Sequence, residues 1–470
     1  MTKKQKLVLI LSSVIIFNLL VLITNAYLEE NAEIQIDSYE IISIQDPELK
    51  SVLNGILGQA PHEKISKAQL AQIEKIESKN RNISNLDGLQ YCISLSWLNL
   101  NGNQISDVSS LSNLNNLSIL NLNGNRISDI RSLTNLTSLN ELYLRGNQIG
   151  DASSLGNLTN LKVLNLTKNK INDISFLINL TILKELYLNG NQISNISLLS
   201  NLINLKYLYL EGNQIRDISP LSNLTNLSIL NLNGNRISDI RPLINLTSLN
   251  ELYLRGNKIG DASSLGNLTN LKVLNLTKNK IDNISFLINL TTLKELYLNG
   301  NQISDISALS NLINLRYLYL EGNRISDISP MKKLTKLIGA RLSNQKIKLE
   351  KITLNSTKVE IENKIKNLNG KIVDDIYDIS NNGKNSSETN LIKWDNIKKK
   401  GILKYNFQES VNIGGALTKF SGTVEQPVEI NKALKRRVGD NAVTTSLIYI
   451  IAEISIIVLT FKVMQKRKSD

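Results

Sequence analysis

The sequence predicts an α/β solenoid of 22-residue repeats, and three observations support this fold class. An asparagine recurs every 22 residues between positions 103 and 323. Leucines surround it in the frame L-x-x-L-x-x-L-x-L-x-x-N-x-I-x-D-I-x-x-L, as in residues 114–133. The chain is 41% apolar and 20% charged, a composition typical of folded proteins. A fixed period of this length indicates leucine-rich repeats, whose stacked coils bury one another's apolar side.

The recurring asparagines are predicted to be structural. An asparagine amide both donates and accepts hydrogen bonds, so it can satisfy the backbone of a tight turn inside each coil. Stacked coils then form an asparagine ladder. Its members are Asn103, Asn125, Asn147, Asn169, Asn191, Asn213, Asn235, Asn257, Asn279, Asn301 and Asn323.

The N-terminus has the layout of an export signal. Basic residues precede an apolar run from Leu7 to Ile23, and Ala26 follows within a short polar stretch. We predict a signal peptide over residues 1–26. An uncleaved membrane anchor is the alternative, because the apolar run approaches the ~20 residues that span a bilayer.

Residues 27–94 are predicted to form a helical cap that merges into a first, degenerate repeat. Asp46-Pro47 is an N-cap and first-turn pair, and Ser66 to Gln69 is a capping-box pattern. A solenoid needs such a cap because its end coil would otherwise expose core leucines.

Residues 95–349 hold about 12 repeats, the last with Gln345 at the asparagine position. Within them, residues 118–227 and 228–337 are near copies that differ at 15 positions. The offset of 110 residues equals five repeats, so the duplication extends the stack without changing its register.

After residue 349 the period disappears. Strand-like runs at 358–361, 371–373, 391–394, 403–407, 411–413 and 419–423 predict a small β-sandwich within residues 350–430. A basic linker, residues 431–442, precedes an apolar stretch at 443–461 and a basic tail at 462–470. The tail places that end in the cytoplasm and the preceding chain outside.

Several motifs resemble the internalin family of Gram-positive surface proteins. They are the cap string Asp46-Pro47-Glu48-Leu49, the repeats, Ile392-Lys393-Trp394, Tyr405-Asn406-Phe407 and the run Phe420 to Val428. The resemblance covers residues 40–430 and implies that cap, repeats and an immunoglobulin-like domain form one unit. It also implies protein ligands on a host or cell surface.

The C-terminus departs from the pattern of that family. Members commonly carry an L-P-x-T-G sorting motif, whereas Lys435-Arg436-Arg437-Val438 stands here before the apolar segment. We therefore favour a transmembrane anchor at 443–461 over covalent attachment to the wall. The expected location is the extracellular face of the cell.

The candidate binding residues lie on the concave face. In each x-L-x-L-x string the leucines point inward, so the flanking residues point outward. Eight of the fourteen tyrosines occupy these positions, and tyrosine, tryptophan and arginine are enriched in protein interfaces. The predicted protein-binding residues are Trp97, Tyr143, Arg145, Tyr187, Tyr207, Tyr209, Glu211, Tyr253, Arg255, Tyr297, Tyr317, Tyr319 and Glu321.

The composition disfavours an enzyme. One histidine and one cysteine leave little for His- or Cys-based catalysis or for metal binding. No phosphate loop or paired-carboxylate motif occurs, so we expect no catalytic residue, cofactor or metal. We also expect no nucleic-acid partner, because an exported chain without a nucleic-acid motif does not fit that role.

The sequence thus predicts an internalin-like adhesin or receptor-binding module. The alternative is a structural scaffold of the producer's own envelope. That alternative rests on residues 332–372, which carry 11 basic and 3 acidic groups within the net charge of +13. Such a patch attracts anionic wall polymers.

Overall fold

The computed structural model describes residues 3–4, 16–26, 39–431, 433–435 and 450–460. Contacts divide the chain into two compact units, residues 1–236 and 237–470. Residues 3–4 and 16–26 of the predicted signal and 450–460 of the predicted terminal segment are helical, and the rest of both segments and the basic tail lie outside the described residues. None of the helices in the described ranges is long and apolar enough to span a bilayer.

The first unit begins with a small cap. Helix Pro47–Ile56 starts at Asp46, whose Oδ1 accepts hydrogen bonds from the backbone N–H groups of Glu48 and Leu49 at 3.1 and 3.0 Å. Helix Lys67–Ala71 starts with a capping box between Ser66 and Gln69. Two short strands, β1 (Ile41–Ile42) and β2 (Ile65–Ser66), pair antiparallel beside these helices. The helices bury leucines that close the end of the repeat core.

The remainder of the first unit is a parallel sheet of three-residue strands. Neighbouring strands pair in register with an offset of 22 residues, as Leu186 opposite Leu208 shows. The central residue of each strand, Ile76 in the first and a leucine in the others, is buried. Its two neighbours are exposed in the first strand and half-buried in the others, except for the buried Asn99. The strands are β3 (Lys75–Glu77), β4 (Trp97–Asn99), β5 (Ile119–Asn121), β6 (Glu141–Tyr143), β7 (Val163–Asn165), β8 (Glu185–Tyr187), β9 (Tyr207–Tyr209) and β10 (Ile229–Asn231).

Short 3₁₀ helices return the chain from one strand to the next. A polar side chain starts most of them; Asp173, for example, accepts the backbone N–H of Ser175 on its Oδ1 at 2.9 Å. Such local side-chain bonds favour turns over long helices. The 3₁₀ helices of the first unit are Leu89–Tyr91, Ser109–Leu111, Arg131–Leu133, Ser153–Asn157, Ser175–Asn179, Ser197–Asn201 and Ser219–Leu221.

The second unit continues the same repeat in its own parallel sheet. Its strands are β11 (Glu251–Tyr253), β12 (Val273–Asn275), β13 (Glu295–Tyr297), β14 (Tyr317–Tyr319) and the first residues of β15 (Gly339–Lys348). Its 3₁₀ helices are Arg241–Leu243, Ser263–Asn267, Ser285–Asn289, Ser307–Asn311, Ser329–Lys333 and Ser380–Asn382.

The β region of the second unit is built on one long hairpin. Strands β21 (Gly401–Ile413) and β22 (Ala416–Ile430) pair antiparallel along their length. Beyond the repeats, β15 pairs parallel with β22, as do residues of β16 (Ile352–Leu354). Strand β18 (Ile376–Tyr377) pairs with β21. A separate antiparallel sheet holds β17 (Val359–Glu362), β20 (Leu391–Trp394) and β19 (Lys384–Ser386).

The observed elements differ from the predicted ones in the cap, at residues 371–373, where only an isolated bridge at Ile372 occurs, and in the hairpin. The parallel sheet begins at β3, inside the region predicted as cap, because Ile76 already pairs opposite Leu98. The separate runs predicted at 403–407, 411–413 and 419–423 are parts of β21 and β22. Strand β15 also crosses from the repeat sheet to the hairpin, so no break in hydrogen bonding marks the end of the repeats.

Candidate functional site

A ladder of buried amides holds the strands of each unit in place. Asn191 accepts the backbone N–H of Ile171 on its Oδ1 at 3.0 Å, and its Nδ2 donates to the carbonyls of Leu166 and Leu188, each at 3.0 Å. The pattern repeats along the first unit, where Asn103 accepts from both Arg81 and Ile83. These amides satisfy backbone groups of the turn, and each asparagine bonds to the preceding coil as well as to its own, which fixes one coil to the next.

The ladder of the second unit has a glutamine at its end. Asn301 and Asn323 make the same three hydrogen bonds as the asparagines of the first unit. Gln345 then accepts the N–H of Ile325 at 3.1 Å and donates to the carbonyls of Leu320 and Leu342. The repeat predicted to be degenerate therefore keeps the hydrogen bonds of the regular ones.

We call the outward residues of each strand, together with the residue two positions after its last, the strand face. In the first unit its central feature is a pair of stacked rings. The rings of Tyr187 and Tyr209, on neighbouring strands, lie 4.9 Å apart between centroids and are inclined by 13°. The Tyr187 hydroxyl donates to Oε2 of Glu185 at 2.7 Å, and Tyr143 donates to Glu141 at the same distance. These contacts hold the rings in one orientation.

The same surroundings keep these tyrosines neutral. Burial, followed by the hydrogen bond to the adjacent glutamate, raises the pKa of Tyr143 and of Tyr187 well above the usual value. The phenol protons therefore stay in place at any physiological pH. Each ring thus presents an apolar surface with a fixed polar edge, which is the kind of side chain that protein interfaces favour.

The other predicted residues of the first unit surround this pair at different distances. Tyr207 precedes Tyr209 on β9. Glu211, two residues after Tyr209, accepts a hydrogen bond from Nδ2 of Asn231 at 3.1 Å. Trp97 lies on β4, separated from Tyr143 on β6 by the intervening β5, and Lys75 Nζ lies 4.3 Å from its ring centroid. The backbone N–H of the exposed Arg145 donates a hydrogen bond to Oδ1 of Asn123 at 2.7 Å.

The strand face of the second unit carries the duplicated tyrosines. Tyr253 donates to Glu251 and Tyr297 donates to Glu295, both at 2.7 Å. Burial and the bond to Glu295 raise the pKa of Tyr297. The rings of Tyr297 and Tyr319 are 5.2 Å apart but are inclined by 75°, an edge-to-face contact.

Arg341 and Gly339, which follow the duplicated block, distinguish the strand face of the second unit from that of the first. The guanidinium of Arg341 lies 5.0 Å from the Tyr319 ring centroid, where the first unit has Asn231 after Tyr209. Gly339 gives room to the Tyr317 ring, since a Cβ on Gly339 would lie 2.7 Å from Cδ1 of Tyr317. Neither residue was a predicted site residue. Arg341 lies one repeat after Tyr319, and Gly339 lies one repeat after Tyr317. This spacing could have identified both residues from the sequence.

A concavity of about 860 Å³ adjoins these tyrosines within the second unit. On the strand side it is lined by Arg255, Tyr297, Tyr319 and Glu321, among others. Hairpin residues close the other side, and there Thr423 donates to Oδ1 of Asn406 at 2.7 Å. The remaining polar and aromatic lining includes Tyr377, Ser421, Asn275, Asn299, Asn344 and Lys346. Four of the predicted residues therefore share one concave surface.

Both strand faces are rich in polar and aromatic side chains. Tyrosine rings, amides, arginines and glutamates alternate there, and the side chains hold one another in place. Within residues 39–431 and the shorter described segments, no group of His, Cys, Asp and Glu is arranged to hold a metal ion.

Comparisons with known proteins place this fold. The family described as "Leucine Rich repeats (2 copies)" matches residues 93–135, 137–179, 183–223, 203–245, 225–267, 247–289 and 291–333. The family described as "LRR adjacent" matches residues 370–429. A search of curated proteins gave no match.

Solved structures of bacterial repeat proteins are similar to this chain. The internalin InlF of Listeria monocytogenes is 37% identical, with 63% of this chain and 94% of that one covered and a TM-score of 0.58. The Leptospira interrogans leucine-rich-repeat protein LIC12759 is 28% identical, with 59% and 74% covered and a TM-score of 0.56. The functional domain of InlJ from Listeria monocytogenes, which includes a cysteine ladder, shares the fold at 20% identity, with 83% and 100% covered and a TM-score of 0.57.

The repeats, their ladder and their strand faces define a leucine-rich-repeat protein. With the repeat family matched across the coils, the adjacent-domain family matched after them and InlF covered over almost its whole length, the chain belongs to the internalin-like leucine-rich-repeat proteins. The single cysteine of this chain, Cys92, is buried in the cap region.

Proposed function

We propose that this protein is a cell-surface binding module, an adhesin or receptor-binding protein, whose ligand is a protein held on the concave strand face. The observation that carries the proposal is the arrangement of the tyrosines. Tyr187 and Tyr297 are each fixed by a carboxylate and by a neighbouring ring. Rings that are already ordered lose little conformational entropy when a partner binds.

The charges on the strand face favour a protein partner over a lipid surface. Arg255 and Glu321 line the same concavity as Tyr297 and Tyr319, so opposite charges alternate with aromatic rings. Such a mixture matches the polar and aromatic composition of protein interfaces. A membrane surface would instead favour a basic face with a continuous apolar one.

The proposed cellular arrangement follows from the termini and the β region. Residues 1–26 would direct export, and residues 443–461 would anchor the chain at the extracellular face of the cell. Residues 350–430 would form an immunoglobulin-like domain that acts as a rigid stalk for the repeats. The long β21–β22 hairpin and its pairing with β15 support the rigidity of this stalk.

The test is binding of the full chain to host cells and to the producer's own cell wall. One variant replaces Tyr297, Tyr317 and Tyr319 with serine. We expect this variant to lose at least tenfold in affinity for host cells. Truncating one hot-spot side chain costs about 2 kcal/mol or more, and about 1.4 kcal/mol corresponds to a tenfold change in affinity.

The matched control replaces Ile244, Ile288 and Ile313 with serine. These isoleucines of the same unit are 42%, 50% and 50% exposed, and they lie outside the strands. The control should bind host cells like the unchanged protein. Binding to the producer's wall alone, unaffected by the tyrosine changes, would contradict the proposal and favour an envelope scaffold.

A further inference from the structure

A row of cations lies beside the strand face of the second unit. Lys272, Lys294 and Arg316 each come directly before a strand, at the same position of successive repeats. The backbone N–H of Lys294 donates to the carbonyl of Lys272 at 2.8 Å, and that of Arg316 donates to Lys294 at 2.8 Å. The three residues are therefore adjacent, about one strand spacing of 4.8 Å apart.

The surface around this row is basic throughout. A concavity of about 600 Å³ is lined by the three cations together with Lys336, Thr292 and Asn314. Lys336 Nζ donates a hydrogen bond to Oδ1 of Asn314 at 2.8 Å. This bond holds a fourth positive charge in the concavity beside the three row cations. No carboxylate belongs to the lining. Glu295, which follows Lys294, is engaged by the hydroxyl of Tyr297.

The first unit repeats the arrangement. Lys162, Lys184 and Lys206 precede three successive strands, and the N–H groups of Lys184 and Lys206 donate to the preceding lysine carbonyls at 2.8 Å. All six row residues are exposed. In the described part of the chain, none of the six forms an ion pair with a carboxylate.

The charges in each row repel one another. Like charges placed directly opposite one another on neighbouring strands destabilise a sheet, and here no acidic side chain separates them. An anionic chain laid across the row would relieve the repulsion at each repeat. Its charges would also meet all the cations at once, since the backbone hydrogen bonds fix their spacing.

We propose that these rows bind a linear polymer that carries phosphate groups. Lysine ammonium groups bind phosphate as point charges, and the guanidinium of Arg316 in the lining supplies further donors. The lining holds no aromatic ring on which a nucleobase could stack, so its chemistry does not favour single-stranded nucleic acid. This site is separate from the tyrosines and does not depend on the proposed protein binding.

The test measures binding of the full chain to immobilised long-chain inorganic polyphosphate over a series of salt concentrations. The row variant carries Lys272→Gln, Lys294→Gln and Arg316→Gln. We expect its affinity to fall at least tenfold at low salt. Each lost phosphate contact reduces the slope of log affinity against log salt by about 0.7, so the slope should become less steep by about 2. Adding the same change at Lys162, Lys184 and Lys206 should abolish binding.

The matched control carries Lys258→Gln, Lys280→Gln and Arg324→Gln, which removes the same charges from exposed positions of the same unit. It should keep its affinity within about threefold, because screening weakens the effect of charges outside the contact. An equal loss in the control and row variants would mean attraction by net charge alone and would overturn the proposal. A preference for heparin over polyphosphate would overturn the assignment to phosphate. Retained binding by Lys272→Arg with Lys294→Arg would support it.

Discussion

At the scale of single residues, each ladder asparagine supplies with one side chain the hydrogen bonds that regular secondary structure would otherwise give to the backbone of the turn. The amide of Asn191 serves one N–H and two carbonyls of the backbone, all of them buried. An unsatisfied buried polar group costs about 1–3 kcal/mol. The asparagine therefore stabilises the fold mainly because it prevents buried backbone groups from being left without a hydrogen bond. The sequence predicts a structural role for these residues.

Asn191→Ala should therefore lower the free energy of unfolding by about 2 kcal/mol or more, because it leaves the N–H of Ile171 without its acceptor. Asn201→Ala, at an exposed position of the same coil, is the control and should change it by less than about 0.5 kcal/mol. Urea unfolding followed by circular dichroism measures both. Equal stability of the two variants would show that the ladder does not hold the coils together.

At the scale of elements, Asp46 joins the cap helix to the first coil. Its Oδ1 caps helix Pro47–Ile56, and its Oδ2 accepts the N–H groups of Ser84 and Asn85 at 2.8 and 3.2 Å. Burial alone would raise the pKa of Asp46, but these hydrogen bonds to the backbone of Ser84, Leu49 and Asn85 lower it below the usual 3.8. One carboxylate thus stabilises two elements while it is ionised.

Asp46→Ala should cost about 1–2 kcal/mol of unfolding free energy near pH 7, as the loss of an N-cap does. Because the folded pKa of Asp46 is lowered, its contribution is present above pH 3.8 and is lost as the pH falls through the folded value. The difference between wild type and variant should therefore shrink in acid. Urea titrations at several pH values measure it, with the exposed Glu63→Ala as control. A difference that does not change with pH would contradict this role.

The junction of repeats and hairpin rests on a close approach at Gly422. This residue pairs with Gln345 of β15 and with Phe407 of β21. A Cβ at this position would overlap the backbone oxygen of Gln345 and would lie 2.7 Å from its Cβ. Only a glycine lets β22 lie between its two neighbours here.

Gly422→Ala should lower the free energy of unfolding by about 1–3 kcal/mol, the usual cost of overpacking. Gly401→Ala, in the same hairpin, has nothing within 4 Å of the added carbon and should be close to neutral. Thermal unfolding of the two variants gives the comparison. If Gly422→Ala were as stable as Gly401→Ala, the pairing of β15 with β22 would be looser than described.

At the scale of the whole molecule, the sequence predicts most where contacts are local in the repeat. The 22-residue period places each leucine, each ladder asparagine and each outward tyrosine, because burial follows the same pattern in every coil. The pairing of Gln345 with Gly422 joins residues that are distant in sequence, so the 22-residue period does not predict it. The single β21–β22 hairpin was predicted only as separate short strands.

The duplicated tyrosines show a second limit. Tyr187 with Tyr209 and Tyr297 with Tyr319 lie on strands of the same sequence, yet one pair is stacked and the other is edge-to-face. Arg341 lies over Tyr319, whereas an asparagine follows Tyr209. Side-chain geometry on the strand face therefore depends on the neighbouring strand, so the two units need not contact a ligand in the same way.

Photo-cross-linking on host cells tests the central claim most directly. A benzophenone side chain is placed at Tyr297 of the strand face or, in a second protein, at Ile288, which is 50% exposed outside it. We predict adducts with a surface protein from position 297, suppressed by an excess of the unlabelled chain, and none from position 288. Adducts from position 288 without adducts from position 297 would contradict binding through the strand face.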